Sequence, residues 1–264
     1  MSTKIQSGPA RSAASLRAIL AMMLREMVTT YGRSHGGYIW AVLQPIAAIA
    51  LLSYAFSLFL SAPSLGTVFP LFYATGYLPF VMFQENSAKI AQSIRFSQSL
   101  LAYGALSWAD LVVARFLLNT LTHILVIALV LGGLSLVWPM PGLPDMPILI
   151  NSLGMVAALS LGIGVLNCFL TTVAPLWEHI WNVLTRPLFI ASGIFFTFED
   201  VPANYRDIVW YNPLLHATGE LRRAVYPTYD GDYVSSSFVY GTAGGLLLLG
   251  LFLLYRFQNF ILDQ

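Results

Sequence analysis

Residues 24–45, LREMVTTYGRSHGGYIWAVLQP, carry the reading that decides the fold. The stretch joins a charged amphipathic segment to the first long apolar run, with Gly36-Gly37 as punctuation and Trp40 just inside. A chain ordered this way passes from the surface of a membrane into it. Working outward, 57% of the 264 residues are hydrophobic and only 9% are charged. A soluble domain carries about a quarter charged residues, and several runs here are long enough to cross roughly 30 Å of hydrocarbon as helix. The fold class is therefore all-α integral membrane.

Other classes fall away on composition. A net charge of +1 gives no basic field for nucleic acid. The single Cys168 excludes an intramolecular disulfide framework and, within an apolar run, reads as a buried structural thiol. Residues 1–15 are polar, and the first apolar stretch is broken by Arg25 and Glu26, so no cleaved signal peptide is expected.

Residues 16–31 form an amphipathic pattern, with Leu16, Ile19, Leu20, Met23, Met27 and Tyr31 on one stripe and Arg17 and Arg25 off it. Such a helix lies in the interface plane or packs on a partner. The chain divides into 1–37, an N-terminal region with this interface helix, and 38–264, a six-span domain. The spans fall at about 38–60, 69–88, 111–137, 148–173, 179–198 and 238–255. Gly154, Ala158 and Gly162 form a small-residue seam in the fourth, and Gly241 and Gly245 offer another in the sixth.

The fifth span is constrained by its charges. Between Arg186 and Glu199 lie residues 187–198, about 18 Å of helix at the standard rise, which is too short to cross. The helix must begin nearer Glu178 or His179, which puts Arg186 within or close to the membrane. Two readings stand: the side chain snorkels to the inner surface, or it meets an anionic substrate. Beyond it, residues 199–237 are the longest polar loop. Asn212-Pro213 is a helix cap followed by a first-turn proline, and Trp210, Tyr211 and Tyr226 suit the headgroup zone. Short periplasmic re-entrant or surface helices are expected there.

Six spans place both termini on one face. Setting that face in the cytoplasm puts ten of the basic residues on or near it, from Lys4 and Arg25 to Arg186 and Arg256, and leaves Arg206, Arg222 and Arg223 opposite. Glu85 and Lys89 are spaced for a helical ion pair. His123 lies inside the third span with no ionisable residue one turn away, which favours a hydrogen bond to a neighbouring helix over proton relay. No GxxxxGK[ST], HExxH, Cys/His set or nucleophile elbow appears. If ATP drives this protein, another chain binds it.

Taken in order, Leu24-Arg25-Glu26, Tyr31-Gly32-Arg33, Gly37-Tyr38 and Trp40 with Pro45 resemble the entry signature of ABC-2 type exporter permeases, specifically the inner-membrane permeases of bacterial capsular polysaccharide exporters. Asp110 with Ala114-Arg115, Arg186-Pro187, and Asn212-Pro213 with His216, Glu220 and Arg222 or Arg223 continue the resemblance over nearly the whole chain. The stretch 102–109 departs from it by lacking a proline and basic residues. The resemblance implies a homodimer of six-span subunits in the bacterial inner membrane, with two P-loop ATPase subunits that bind ATP and Mg. It implies a lipid-linked polysaccharide as cargo, periplasmic and outer-membrane export proteins as possible further partners, and no cofactor in this chain.

It also implies where sites lie. Residues 92–109 would hold the coupling helix, with Arg25, Glu26, Arg95, Ser99, Leu100 and Tyr103 facing the ATPase. Trp210, Tyr211, His216, Glu220 and Arg222 would form a periplasmic gate. On physical grounds, Arg186 and the aromatics Tyr54, Phe56, Tyr73 and Tyr77 could line a sugar path, although each ring singly could equally face lipid or core. Export of O-antigen, teichoic acid or a drug, an intramembrane transferase, and a proton-driven carrier are the competing readings.

Overall fold

The computed structural model describes residues 9–31, 37–96 and 107–257, and all regular structure among them is helical. The helices are α1 (Pro9–Tyr31), α2 (Gly37–Ser57), α3 (Phe69–Ala91), the single turn α4 (Ser93–Phe96), α5 (Trp108–Val137), α6 (Met146–Val173), α7 (Leu176–Ala191), α8 (Ala203–Trp210), α9 (Pro213–Val225) and α10 (Ser236–Arg256), with a 3₁₀ turn at Phe198–Asp200. Local chemistry fixes their starts. Asp110 accepts from the Ser107 N–H at 3.2 Å while the Ser107 hydroxyl accepts from the Ala109 N–H at 3.3 Å, which caps α5. Asp145 caps α6 through the Ile148 N–H, and Asn212 caps α9 through the Leu214 N–H.

Among the described residues, four helices are long and apolar enough to cross a membrane: α2 over Ile39–Ser57, α5, α6 and α10. The other two predicted spans differ in kind. Helix α3 carries Gln84, Glu85, Asn86 and Lys89 in its second half and buries most of its length inside the protein. Helix α7 has 16 residues, about 24 Å, and stops at Ala191 where the sequence reading carried it to 198.

That early stop has a tertiary cause. The last carbonyls of a helix need donors from outside it. Here Asn212 Nδ2 donates to the Ala191 carbonyl at 3.0 Å and the Thr218 hydroxyl donates to the Ser192 carbonyl at 2.7 Å. Gly193 then turns the chain with φ +73°, a conformation that favours glycine. Helix α9 thus supplies the partners that release the chain from α7.

Helix α6 is the centre of the bundle: α10 and α3 pack along it and α9 covers one end. The seam at Gly154, Ala158 and Gly162 faces α10, where a Cβ on Gly162 would collide with the Ala243 carbonyl oxygen. A Cβ on Gly250 would lie 2.7 Å from the Leu166 nitrogen. The second seam differs from the sequence reading. Ala243 and Gly250 make the close approach, while Gly241 and Gly245 face open space. The sequence shows which residues are small but not which face of the helix meets a neighbour.

Gly162→Ala should therefore destabilise the fold by about 1–3 kcal/mol through overpacking, and Gly241→Ala should not. Thermal unfolding of the detergent-solubilised chain measures both.

Candidate translocation groove and the loop that walls it

Helix α7 presents Thr185, Arg186, Phe189 and Ile190 toward Phe80 and Gln84 of α3 and Phe56 of α2. With Phe195 from the segment after α7, these side chains enclose an open groove of about 620 Å³. Its aromatic wall is continuous. Phe189 lies 5.0 Å from Phe80 and 5.5 Å from Phe195 between ring centroids, and Phe195 lies 5.4 Å from Phe56. Arg186 is exposed and brings a permanent cation to this otherwise apolar slot. A cation flanked by π faces can hold an anionic group while ring faces stack on sugars or polyprenyl carbons.

Of the residues nominated for a sugar path, the structure gathers Arg186 and Phe56 into this groove. Tyr73 is buried behind it, 5.4 Å from Phe56. Tyr54 is 67% exposed on another face of α2. Tyr77 lines a separate cavity of about 290 Å³ between α2, α3 and α5, together with Gln44, Glu85, Lys89 and His123. In that cavity the His123 Nε2 lies 3.4 Å from a Glu85 carboxylate oxygen, and Lys89 donates to Asn119 Oδ1 at 2.8 Å. Both charged residues of the predicted i,i+4 pair reach across to α5.

The residues nominated for ATPase coupling separate into two groups. Ser99, Leu100 and Tyr103 lie outside the described residues. Glu26 of α1 accepts from Arg115 Nε of α5 at 3.1 Å, both side chains being mostly buried. Arg115 also donates to the Lys89 carbonyl at 3.0 Å and lies over the Phe96 ring. The Glu26 carboxylate is thus committed within the chain and moors α1 to the bundle. Arg95 pairs with Glu178 at 2.9 Å across an exposed surface that links α4 to the start of α7. Arg25 is exposed on α1.

Of the residues nominated for a periplasmic gate, His216, Glu220 and Arg222 are buried, Trp210 is half-buried and Tyr211 is 70% exposed. His216 accepts the Ser235 N–H at Nδ1 (3.1 Å) and lies 2.7 Å from the Trp210 carbonyl at Nε2. That arrangement is the neutral tautomer donating from Nε2. Burial pushes the imidazole below its ordinary value, and the carbonyls of Trp210 and Tyr233 oppose it. Glu220 accepts from Asn151 at 2.6 Å and from Arg223 at 2.9 Å. Trp210 donates to the Tyr233 carbonyl at 3.1 Å.

Arg222 is fully buried and meets no carboxylate among the described residues. It donates from Nη1 to the Phe196 carbonyl at 2.7 Å and from Nη2 to the Ile194 carbonyl at 3.4 Å, and stacks 4.3 Å over Phe72. Sequence reasoning missed Phe80, Gln84, Phe189 and Phe195 as groove residues. Phe80 and Phe189 follow prolines by one and two positions, but nothing in the local sequence aims them at one another.

Two stability tests follow. Arg222→Met, which leaves two buried carbonyls without their donor, should cost about 1.5–3 kcal/mol per lost charged hydrogen bond, whereas Tyr211→Ala should leave thermal stability unchanged. Because the folded-state pKa of His216 is lowered, its neutral form stabilises the fold fully above the unfolded pKa of about 6.5. That contribution is lost as pH falls below this value, so His216→Gln should flatten the acid side of the stability profile measured by thermal unfolding.

Residues 17–226 match the family model described as ABC-2 type transporter. The polysialic acid transport protein KpsM of Escherichia coli is 30% identical over 240 residues, covering 89% of this chain and 91% of that protein. The capsule polysaccharide export inner-membrane protein BexB of Haemophilus influenzae is 25% identical, with 94% of each chain covered. CtrC of Neisseria meningitidis serogroup B, which carries the same description as BexB, is also 25% identical over 94% of each chain. The matched span takes in the groove, the α1–α5 ion pair and the hub residues Trp210, His216, Glu220 and Arg222, and the chain belongs to the ABC-2 type transporter family.

Proposed function

We propose that this chain is the membrane permease of an ATP-driven exporter that moves lipid-linked capsular polysaccharide across the bacterial inner membrane. The observation that carries the reading is the groove in which Arg186 stands among Phe56, Phe80, Phe189 and Phe195. It joins a fixed positive charge to stacking surfaces, which suits an acidic glycan or its phosphate-bearing lipid. The capsule-export relatives supply the cargo class. With no phosphate loop in the sequence, hydrolysis belongs to a separate P-loop ATPase that binds ATP and Mg.

In this reading α3 and α7 complete six crossings. The polar half of α3 is tolerated because it is covered by protein, and α7 is extended by the non-helical segment after Ala191. The distribution of Lys and Arg supports a cytoplasmic location for both termini. A C2 homodimer with two ATPase subunits supplies enough surface to enclose a polymer path on its axis, with residues 97–103 as the coupling contact. Periplasmic and outer-membrane export proteins would receive the glycan. The groove then acts in two parts: Arg186 binds the anionic end, and the ring faces let successive sugars slide without a fixed orientation.

A proton-driven carrier is the second reading, favoured by the Glu85–His123 contact inside the bundle. Export that persists after ATP depletion would establish it.

Arg186→Ala should lower export about 10–100-fold, the worth of one charged hydrogen bond of about 1.5–3 kcal/mol, with assembly on the ATPase intact. Arg186→Lys should keep part of the activity. Radiolabelled glycan taken up into the lumen of inverted vesicles, beside co-purification of the ATPase, reads both, and normal export by Arg186→Ala would refute the groove as the path.

A further inference from the structure

The groove's outer wall does not belong to a regular element. Phe195 sits in the segment after α7, where the helix has ended and Gly193 has turned the chain. Such a segment has no ladder of its own, so its position depends on what binds its backbone. Two of its carbonyls, those of Ile194 and Phe196, flank Phe195 directly, and both accept from the Arg222 guanidinium. The peptide units on either side of the ring are thus held by one planar fork.

The fork is itself fixed from behind. Its carbon lies 4.3 Å from the centre of the Phe72 ring on α3. Gly76, one turn further along α3, has no side chain, and a Cβ there would lie 2.8 Å from the Ile194 Cα and 3.3 Å from Arg222 Nη2. The missing side chain lets the loop backbone and the guanidinium press onto α3 together. A lysine could place a charge in this space but not two parallel N–H donors. The acceptors at Ile194 and Phe196 call for the fork.

We propose that Arg222 is a positioning residue for the translocation groove: through the Ile194 and Phe196 carbonyls it sets Phe195 and so ties the wall of the groove to α9. Helix α9 is part of the hub that includes α8 and the 226–235 connection, through His216, Trp210 and Tyr233. A displacement of that hub is transmitted to the groove by Arg222 without passing through α7. The inference rests on the groove being the substrate path, although the clamp can be tested without that assumption.

The test uses Phe195→Cys in the full chain, with buried Cys168 as internal control for unfolding. Maleimide labelling at position 195 should rise at least fivefold in Arg222→Met, and at least threefold in Gly76→Ala, which pushes Ile194 away while leaving the arginine in place. Arg206→Gln, a change in another cation of the same face, should leave labelling unchanged. In exporting vesicles that otherwise keep Phe195, Arg222→Lys should raise the substrate concentration for half-maximal export about tenfold with little loss of maximal rate. A merely structural role would lower the amount of active protein and leave half-saturation unmoved. Unchanged labelling at 195 in both Arg222→Met and Gly76→Ala, with Cys168 still protected, overturns the clamp. Raised labelling with unchanged export leaves the clamp standing and overturns the assignment of the groove to substrate.

Discussion

A guanidinium buried in protein, bound to backbone carbonyls and a ring face in place of a carboxylate, organises one half of this molecule. Removing a permanent charge from water is costly unless every favourable contact is made. Arg222 makes two hydrogen bonds, to the carbonyls of Ile194 and Phe196, and lies over the face of Phe72, while its Nε is buried without a partner among the described residues. Those contacts exist because α7 stops at Ala191 and hands its last carbonyls to Asn212 and Thr218. The arginine, the early helix end and the glycine at position 76 depend on one another. Together they join α3, the loop after α7 and α9 into one unit.

On the other side of the bundle, a different kind of contact does the corresponding work. Glu26 and Arg115 pair across α1 and α5 with little solvent access, and Arg115 also caps the Lys89 carbonyl of α3. Three elements meet at that one cation. Low solvent access makes such a pair sensitive to loss of either member, so α1 is moored at a defined height on the bundle and not merely laid on its surface. Between the two anchors runs the groove with Arg186, its walls drawn from α2, α3, α7 and the clamped loop.

The physical logic of the groove is economy of commitment. Its rings offer area without directional demand, which suits a polymer whose repeats must pass one after another. Its cation supplies the single strong and orienting contact. A groove with many fixed hydrogen bonds would hold one sugar well and release it slowly.

By itself the sequence determined the membrane class, the helical content, the cap at Asn212, and the family signature at residues 24–45. Each of these is written in composition, periodicity or a few adjacent side chains. It also singled out Arg186, because the twelve residues between it and Glu199 are too few to cross a membrane. What the tertiary structure decided is which faces meet. Glu85 is spaced for Lys89 along one helix, and packing also brings it to His123 on another. Glu26 looked available for a partner, yet it belongs to Arg115. His216, Glu220 and Arg222 looked like a gate, and they are buried cross-links. In an apolar chain nearly every face reads as hydrophobic, so the local pattern that marks the inner side of a soluble helix is lost, and only packing assigns Phe195 to the wall of the groove.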